Sequence, residues 1–338
     1  MRYKFSDLYY DDTKNAKKLK SSEYKNIGKY IIVDQGKSLI AGYTDNEDGL
    51  YTDVPVIIFG DHTRNIKYIN LPFFLGADGT KVLKSSLKNV NYKYLYYLLK
   101  NANIPDTGYN RHYKWLKELM FKYHSQDQQN QIVTILDKLD LTISKYREEL
   151  LLLDELVKAR FVEMFGEIED CDKWESKIWN EVVTIKNGRD YKKVLVSDGG
   201  YPVVGTGGEI ARASKYLCPE NTIVVGRKGS INNPMLMKEK FWNVDTAFGV
   251  IPNSDYLHYQ YFYCFCKFYN FMKLNKATTL PSTTKADLLK IRINIPPLEL
   301  QNQFASFVQE IDKSRSRIQK SLEASQELFD SLMQEYFG

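Results

Sequence analysis

The sequence predicts an α/β protein built from two related halves, each with its own domain and its own long helix. The first observation is an internal repeat, in which residues 129–166 align without a gap with residues 301–338 at an offset of 172. Eleven of these 38 positions are identical, including Asp140 and Asp312. The second observation is that both copies have apolar residues at helical spacing, whereas short strand-like runs and turns precede each copy. A repeat of this kind indicates a duplicated structural unit.

Fainter similarity upstream of the helices extends the repeat to a whole half of the chain. Tyr92–Lys100 matches Tyr259–Lys267, and the strand-like Val56–Gly60 matches Thr222–Gly226. Between these anchors the halves share almost no sequence. We predict two versions of one binding module with different targets, although neutral drift in surface loops would produce the same divergence. Approximate two-fold symmetry within one chain suits DNA as a ligand.

Changes in composition along the chain give the expected boundaries. We expect a first domain over residues 1–126, a spacer helix over 127–166, a second domain over 167–297 and a C-terminal spacer helix over 298–338. Gly166 is a typical C-cap for the first helix, and acidic residues after it lead to Trp174 at the start of the second domain.

Both helices are predicted to carry a heptad seam of apolar side chains. The seam of the first helix comprises Ile132, Leu136, Leu139, Ile143, Tyr146, Leu150, Leu153 and Val157. The seam of the second comprises Phe304, Val308, Ile311, Ile318, Leu322, Phe329 and Leu332, with interruptions at Arg315 and Ser325. Pairing of the two stripes within one chain would bury both. A homodimeric coiled coil is the alternative, because a seam does not identify its partner.

The composition is typical of a soluble globular protein, with 43% hydrophobic and 26% charged residues. No stretch approaches the roughly 20 apolar residues of a membrane span, so we expect a cytoplasmic protein. The net charge of +5 permits nucleic-acid binding without requiring it. The four cysteines, Cys171, Cys218, Cys264 and Cys266, lack the spacing of a zinc site and are expected to be ordinary buried thiols.

Polar glycine turns follow the predicted strands of the second domain. Glycine allows the backbone to approach a phosphate or a base edge closely, and the adjacent side chains supply hydrogen-bond donors. A plain hairpin turn with exposed basic residues explains the spacing of Gly226–Ser230 equally well, and the hydroxyl residues before Ala286 would also serve as helix caps. The candidate DNA contacts here are Thr206, Arg212, Arg227, Lys228, Ser230, Asn232, Ser282, Thr283, Thr284 and Lys285.

The first domain has similar turns after its strands. The candidate DNA contacts there are Lys37, Tyr43, His62, Arg64, Lys67, Asn110 and Arg111. His62 beside Asp61 suggests a catalytic group, but no nucleophile or set of metal ligands accompanies the pair. A role in binding or in stabilising the turn is the better interpretation.

The sequence lacks the motifs of methyltransferases, nucleases and ATP-dependent enzymes. A methyltransferase would need an Asn/Asp-Pro-Pro-aromatic motif, and the nearest string, Asn294–Leu298, has an inserted Ile and no aromatic residue. Glu-x-Lys, a common part of nuclease sites, occurs at Glu23–Lys25 and Glu175–Lys177, as chance would give in a chain rich in Lys and Glu. Fingerprints for ATP or dinucleotides are also missing. We predict no catalytic residues and no metal site.

Together these features resemble the specificity subunit of type I restriction-modification systems. The resemblance covers essentially the whole chain and rests on the duplicated helices and on a set of motifs: Pro296–Gln301, Trp174–Val183, Tyr201–Gly205, Gly226–Ser230, Gln35–Lys37, Pro55–Arg64 and Asp78–Gly79. The first half departs from the pattern in two places. It has no proline pair before its helix, and Tyr3–Phe5 matches Trp174–Ser176 poorly.

The resemblance implies two α/β target-recognition domains separated by helices that pair antiparallel as a ruler, with internal pseudo-two-fold symmetry. Each domain would read one half of a bipartite DNA target. The subunit would recruit two methyltransferase subunits and restriction subunits of an anti-phage system, with S-adenosylmethionine, ATP and Mg on those partners and no cofactor on this chain. Two alternatives stay open: a coiled-coil scaffold that does not bind DNA, and a self-contained DNA-modifying enzyme.

Overall fold

The computed structural model describes residues 2–76, 78–168, 173–276 and 279–338, and the chain divides into two compact units. Unit 1 comprises Met1–Tyr146 and Ser321–Gly338, and unit 2 comprises Arg147–Lys320. Each unit therefore contains half of each long helix. Cys171 lies outside the described residues.

The elements of the first half of the chain are short strands and helices that lead into one long helix. In order they are β1 (Arg2–Lys4), α1 (Phe5–Leu8), β2 (Tyr9–Asp11), β3 (Tyr30–Val33), β4 (Gly42–Thr44), β5 (Val56–Gly60), β6 (Ile66–Ile69), β7 (Phe73–Leu75), β8 (Thr80–Ser85), α2 (Tyr92–Lys100), α3 (Tyr113–Leu116), β9 (Met120–Lys122) and α4 (Gln126–Phe165).

The second half follows the same plan. Its elements are β10 (Ser176–Ile178), α5 (Trp179–Val182), β11 (Val183–Asn187), β12 (Leu195–Val196), β13 (Tyr201–Gly205), β14 (Gly208–Ala213), β15 (Thr222–Gly226), β16 (Met235–Met237), β17 (Trp242–Asn243), β18 (Ala247–Pro252), α6 (Tyr259–Phe268), α7 (Lys285–Leu288), β19 (Arg292–Asn294) and α8 (Leu298–Phe337).

The two units share one strand order. Unit 1 has a four-stranded sheet in the order β2-β8-β5-β6, a three-stranded sheet β4-β3-β7 and the pair β1-β9. Unit 2 has β11-β18-β15-β16, then β12-β14-β13-β17, and the pair β10-β19. Apart from β12, each described strand of unit 2 has a counterpart at the same place in unit 1. The duplication therefore includes the stretches that share almost no sequence.

Strands β5 and β15 are the inner strands that the repeat predicts. Every residue of both strands is buried, as the runs of Val, Ile and Phe favour. Helices α2 and α6 cover these sheets with aromatic residues, among them Tyr94 in unit 1 and Phe262 in unit 2. Each unit thus builds its own hydrophobic core.

The long helices pack together within each unit. In unit 1, Ile132 and Leu136 near the start of α4 share a core cluster with Phe329 and Met333 near the end of α8. In unit 2 the opposite ends meet, and the ring of Phe304 on α8 lies 5.3 Å from that of Phe165 on α4, centroid to centroid. The helices therefore run antiparallel. The predicted fold class, two α/β domains with two long paired helices, is confirmed.

The predicted seam residues differ in burial. Seven are buried, namely Ile132, Leu136, Ile143, Val157, Phe304, Val308 and Phe329. The others are half-buried, namely Leu139, Tyr146, Leu150, Leu153, Ile311, Ile318, Leu322 and Leu332. Arg315 interrupts the apolar seam because it forms an ion pair with Asp154 of α4, with 3.0 Å between Nη2 and Oδ1. Lys267 of α6 bonds to the same carboxylate oxygen at 2.9 Å.

A buried glutamine marks the start of each long helix, at identical positions of the repeat. The side-chain amide of Gln129 donates to the carbonyl of His124 at 2.9 Å. The amide of Gln301 donates to the carbonyls of Pro296 at 2.8 Å and Tyr256 at 2.9 Å, and its oxygen accepts the N–H of His258 at 2.7 Å. Because buried amides need such partners, these bonds tie each helix to the chain just before it.

The one-turn helices α1 and α5 correct the predicted alignment of the domain starts. Each begins with a buried aromatic residue, Phe5 in α1 and Trp179 in α5. In each, a carboxylate three residues after the N-cap accepts the N-cap N–H, from Lys4 to Asp7 at 2.8 Å and from Ile178 to Glu181 at 3.0 Å. Residues 3–5 therefore correspond to 177–179 and not to 174–176.

Candidate nucleic-acid interface

Corresponding strands end in corresponding polar loops. Strand β5 ends at Gly60 and strand β15 at Gly226, and both glycines lie against their own loops. A Cβ added at Gly226 would lie 2.7 Å from the carbonyl oxygen of Ser230, and one at Gly60 would meet the Thr63 side chain. A side chain at either position would displace the loop, which explains why glycine is needed there.

In unit 2, the loop after β15 is bonded to the hydroxyl-rich turn before α7. The N–H of Gly229 donates to the carbonyl of Pro281 at 2.9 Å, and the N–H of Thr283 donates to the carbonyl of Arg227 at 3.0 Å. Lys228 and Ser282 form an isolated antiparallel bridge. Two candidate segments some 50 residues apart are thus parts of one surface.

The basic side chains of this loop are exposed. Arg227 and Lys228 point away from the core, and the guanidinium of Arg227 makes one weak bond, at 3.3 Å, to the carbonyl of Asp245. Ser230 and Asn232 are also exposed. This surface therefore presents donors suited to phosphate or base oxygens.

Several candidates in the same surface hold the loop together. Thr283 is buried, and its hydroxyl donates to the carbonyl of Gly226 at 2.8 Å. Thr284 caps α7, Lys285 donates to the carbonyl of Ile185 at 2.9 Å, and the Asn232 oxygen accepts the N–H of Phe271. Thr283 therefore stabilises the loop through its only polar side-chain atom, which is buried and bonded.

Thr206 and Arg212 lie elsewhere in unit 2, on the β13–β14 hairpin. Thr206 is in the turn between the strands, and Arg212 is on β14. The guanidinium of Arg212 pairs with Glu209 at 2.9 Å and donates to the carbonyl of Gly200 at 3.2 Å. These contacts lie within the second sheet rather than in the loop after β15.

In unit 1, the loop after β5 meets the equivalent turn before α3. The carbonyl of Asp61 accepts the N–H of His112 at 2.8 Å, and the carboxylate of Asp61 accepts the N–H of Tyr113 at 2.7 Å. Gln35, in the turn after β3, bonds to the N–H of His62 at 3.2 Å and to the carbonyl of Asp78 at 3.0 Å. The structure brings together four segments that the sequence pointed to separately.

Three candidates in unit 1 are exposed at this surface or near it, namely Lys37, Asn110 and Arg111. Two others are engaged within the protein. Arg64 pairs with Asp106 at 2.6 Å. The backbone of Tyr43, on β4 of the three-stranded sheet, bonds to the backbone of Lys25.

Lys67, also among the predicted contacts, is buried. It is 5% exposed on β6, and its ammonium donates to the carbonyl of Asp34 at 2.7 Å. Burial lowers the pKa of Lys67, against the opposing effect of the Asp34 carboxylate. A lysine held in this way supports the turn after β3 and is not placed to reach DNA.

His62 stacks on an aromatic residue that was not among the candidates. Its ring lies 4.7 Å from that of Tyr109, with 10° between the planes. Tyr109 is 86% exposed. The sequence signal was weak, because one Tyr among 25 in a turn does not reveal exposure.

Within the described ranges, no group of three or more His, Cys, Asp or Glu residues could hold a metal ion. Cys218, Cys264 and Cys266 are buried free thiols, and burial raises the pKa of Cys218 and of Cys264 to about 12. Thiols of this kind are poor nucleophiles and poor metal ligands. No helix in the described part of the chain is long and apolar enough to cross a membrane.

Comparisons with known proteins agree with this description. The family described as "Type I restriction modification DNA specificity domain" matches residues 171–326. The specificity subunit of the type I restriction enzyme EcoR124I/EcoR124II of Escherichia coli is 24% identical over 362 aligned residues, which cover 92% of this chain and 86% of that protein.

Two solved structures are similar in fold. The S subunit of a type I restriction-modification system from M. genitalium has a TM-score of 0.68 and 17% identity, covering 100% of this chain and 96% of that one. The second structure is described as concerning the complex assembly and conformational transition of the type I R-M system. Its similar chain has a TM-score of 0.51 and 14% identity, and the alignment covers 99% of this chain and 97% of that one.

Proposed function

We infer the function of this chain from the family to which it belongs, the specificity subunits of type I restriction-modification systems. The chain is the DNA sequence-specificity subunit of such a system. Its residues would perform two parts of that function, the recognition of DNA and the docking of partner subunits.

We propose that each unit reads one half of a bipartite DNA target. One observation carries this proposal, namely that the same topology places a glycine-anchored polar loop at the same point of both units, after β5 and after β15. The strand orders of the two units match, while the loops differ in sequence. Two domains of one topology with different loops suit two half-sites of different sequence.

The exposed basic residues are the proposed first contacts with the duplex. They are Arg227 and Lys228 in unit 2, and Lys37 and Arg111 in unit 1. Cationic side chains would hold the phosphates and fix the register, while exposed polar residues beside them, such as Ser230 and Asn110, would bond with base edges. Buried Lys67 and Thr283 are left out of this set.

The long helices are proposed to separate the half-sites and to dock two methyltransferase subunits. Leu156 and Leu328 occupy the same position of the repeat, and they are 46% and 50% exposed. Exposed leucines kept in both copies have no role in the cores of the units. Because the repeat presents the same exposed residue twice, it suits two copies of one partner.

Catalysis is assigned to the partners. The chain would contribute no catalytic residue, while S-adenosylmethionine would be bound by the methyltransferase subunits, and ATP and Mg by the restriction subunits. Its own polar loops would select the DNA on which those subunits act.

Genome-wide adenine methylation tests this function. The chain is expressed with the methyltransferase subunit encoded beside it, in a host without its own systems, and each protein is also expressed alone. We expect a bipartite motif that is methylated only when both are present. Methylation of one uninterrupted motif, or methylation that does not need this chain, would contradict the proposal.

Paired variants then assign the halves. Arg227→Gln in unit 2 and Arg111→Gln in unit 1 remove one exposed charge each. The first should weaken selection at one half of the motif and the second at the other half. If both variants alter the same half, the assignment of one half to each unit is wrong.

A further inference from the structure

Tyr109 is an exposed aromatic residue held in a fixed position. At 86% exposure it equals Ile27 as the most exposed of the large apolar side chains described in unit 1. Its ring is nevertheless stacked on His62, with 4.7 Å between centroids and 10° between planes. Single exposed apolar residues are common on proteins, so exposure by itself carries no conclusion. The unusual feature is an exposed ring with a rigid support.

His62 provides that support because it is itself packed. The imidazole is half-buried, and a Cβ added at Gly79 would lie 2.6 Å from its Cδ2, so the Gly79 backbone lies directly against the ring. The backbone N–H of His62 bonds to Gln35 at 3.2 Å. The histidine ring therefore contacts the Gly79 backbone as well as the tyrosine ring.

The turn that carries Tyr109 is fixed on both sides. Before it, Asp106 pairs with Arg64 at 2.6 Å and accepts the N–H of Gly108 at 3.0 Å. After it, buried His112 bonds through its N–H and through Nδ1 to the carbonyl of Asp61, at 2.8 and 3.0 Å. Because both ends are tied to the loop after β5, little conformational entropy would be lost when the ring binds a ligand.

Exposed Arg111 follows two residues later and lies close enough to Asp78 to lower the pKa of that carboxyl group, after the larger effect of Lys18. Lys37 is exposed in the neighbouring turn. A rigid aromatic ring beside cationic side chains is the combination that proteins use to stack on bases while holding the phosphates. A protein partner would also suit Tyr109 and Arg111, but exposed lysines such as Lys37 are depleted from protein interfaces.

We propose that Tyr109, backed by His62, stacks on a base of the half-site bound by unit 1, at a step that the complex partly unstacks. The inference rests on the proposed function and adds a contact that the basic residues do not supply. Aromatic residues that enter a base step kink the duplex and recognise it through the ease of its deformation. Recognition by unit 1 would then depend on stacking as well as on hydrogen bonds.

The test uses the full complex with the methyltransferase subunits and duplex DNA that contains the methylated motif. Tyr109→Ala should weaken binding roughly 5- to 150-fold, the range of one aromatic–base stack. Tyr109→Phe and Tyr109→Trp keep a ring and should bind about as well as the original chain. Ile27→Ala is the matched control, since it removes an equally exposed side chain from another segment of unit 1.

Two further readouts separate stacking from other roles. The tyrosine ring carries no charge, so Tyr109→Ala should leave the slope of log K for DNA binding against log salt concentration unchanged, whereas Arg111→Gln should reduce that slope. The emission of a 2-aminopurine at the affected step should change on binding to the original chain, because its stacking partner changes, and should not change with Tyr109→Ala. An unchanged melting temperature excludes misfolding of the variant.

The inference is overturned if Tyr109→Ala binds like the original chain, if Ile27→Ala weakens binding equally, or if the 2-aminopurine emission changes equally with Tyr109→Ala. Failure of the proposed function is a different result. In that case the original complex itself neither binds nor methylates a bipartite motif.

Discussion

Gly226 gives the sharpest prediction because its surroundings are rigid. A methyl group at this position would lie 2.7 Å from the carbonyl oxygen of Ser230 and 2.8 Å from the Cα of Ile231. Carbon atoms normally approach one another to about 3.5–4.0 Å, so the loop after β15 must move by the better part of 1 Å in Gly226→Ala. Both contacts are backbone atoms, which cannot turn away as a flexible side chain would.

The cost can be worked out from these contacts. Overpacking of a close-packed site costs about 1–3 kcal/mol, and the lower entropy of the unfolded Ala chain returns about 0.4–1 kcal/mol. The net loss is then roughly 1–2 kcal/mol. For a unit of 174 residues, 147–320, each kcal/mol corresponds to about 2–4 °C in melting temperature, so the unfolding of unit 2 should move down by roughly 2–8 °C.

Thermal unfolding of the full chain is the assay, and Gly207→Ala is the matched control. Gly207 lies in the turn of the β13–β14 hairpin, and a Cβ there would meet no atom within 4 Å. We expect no fall in melting temperature for this variant. The reasoning is refuted if Gly226→Ala melts at or above Gly207→Ala, because close backbone contact would then not be what requires glycine.

Three further predictions concern charge and packing. Replacing Arg227 and Lys228 together by Gln should weaken DNA binding and reduce the slope of log K against log salt by up to about 2, since each lost phosphate contact accounts for about 0.9; an unchanged slope would remove this loop from the interface. Burial raises the pKa of Asp154, but its bonds and charge interactions with Lys267 and Arg315 outweigh this and lower the pKa below its ordinary value of 3.8. The ion pairs therefore stabilise unit 2 above that value and are lost as the pH falls through the lower pKa of the folded state. Asp154→Asn should cost about 0.5–1 kcal/mol at pH 7 in urea titrations, and the cost should shrink as the pH falls below 3.8; a cost that does not change with pH would contradict this cause. Phe161 on α4 is 2% exposed and stacks on Tyr261, so Phe161→Ala should cost about 3–5 kcal/mol in the same titrations, whereas Leu151→Ala on the same helix, 66% exposed, should stay within about 0.5 kcal/mol.

Periodicity identified the long helices because the burial of one face imposes a repeating pattern on sequence, whereas the inner strands were recognised as short continuous apolar runs. Val56–Gly60 and Thr222–Gly226 are buried at every position, so their composition is constrained throughout. The equivalence of Phe5 and Trp179 was missed because one-turn helices are too short for a period. It depends on a carboxylate three residues after the N-cap, which differs between the halves as Asp7 and Glu181.

The candidate site was predicted in its segments and only partly in its side chains. Turns rich in Gly and hydroxyl residues marked the right loops, since those loops need special backbone conformations. Whether a polar side chain faces outward depends on its distant neighbours. Lys67 can be buried because the carbonyl of Asp34 accepts a hydrogen bond from its ammonium group, and Tyr109 is held by the distant His62.

The buried glutamines at the start of α4 and α8 have a consequence for protein engineering. Gln301 holds its helix to three backbone groups, at Tyr256, His258 and Pro296. None of these bonds involves a side chain of the preceding domain, so the attachment of the helix by Gln301 does not depend on which side chains that domain carries. A foreign recognition segment that presents the same backbone groups could be grafted in front of the helix without shifting it. Exchange of the domain in front of one long helix would then change the selectivity of that half of the chain and leave the other half as it is.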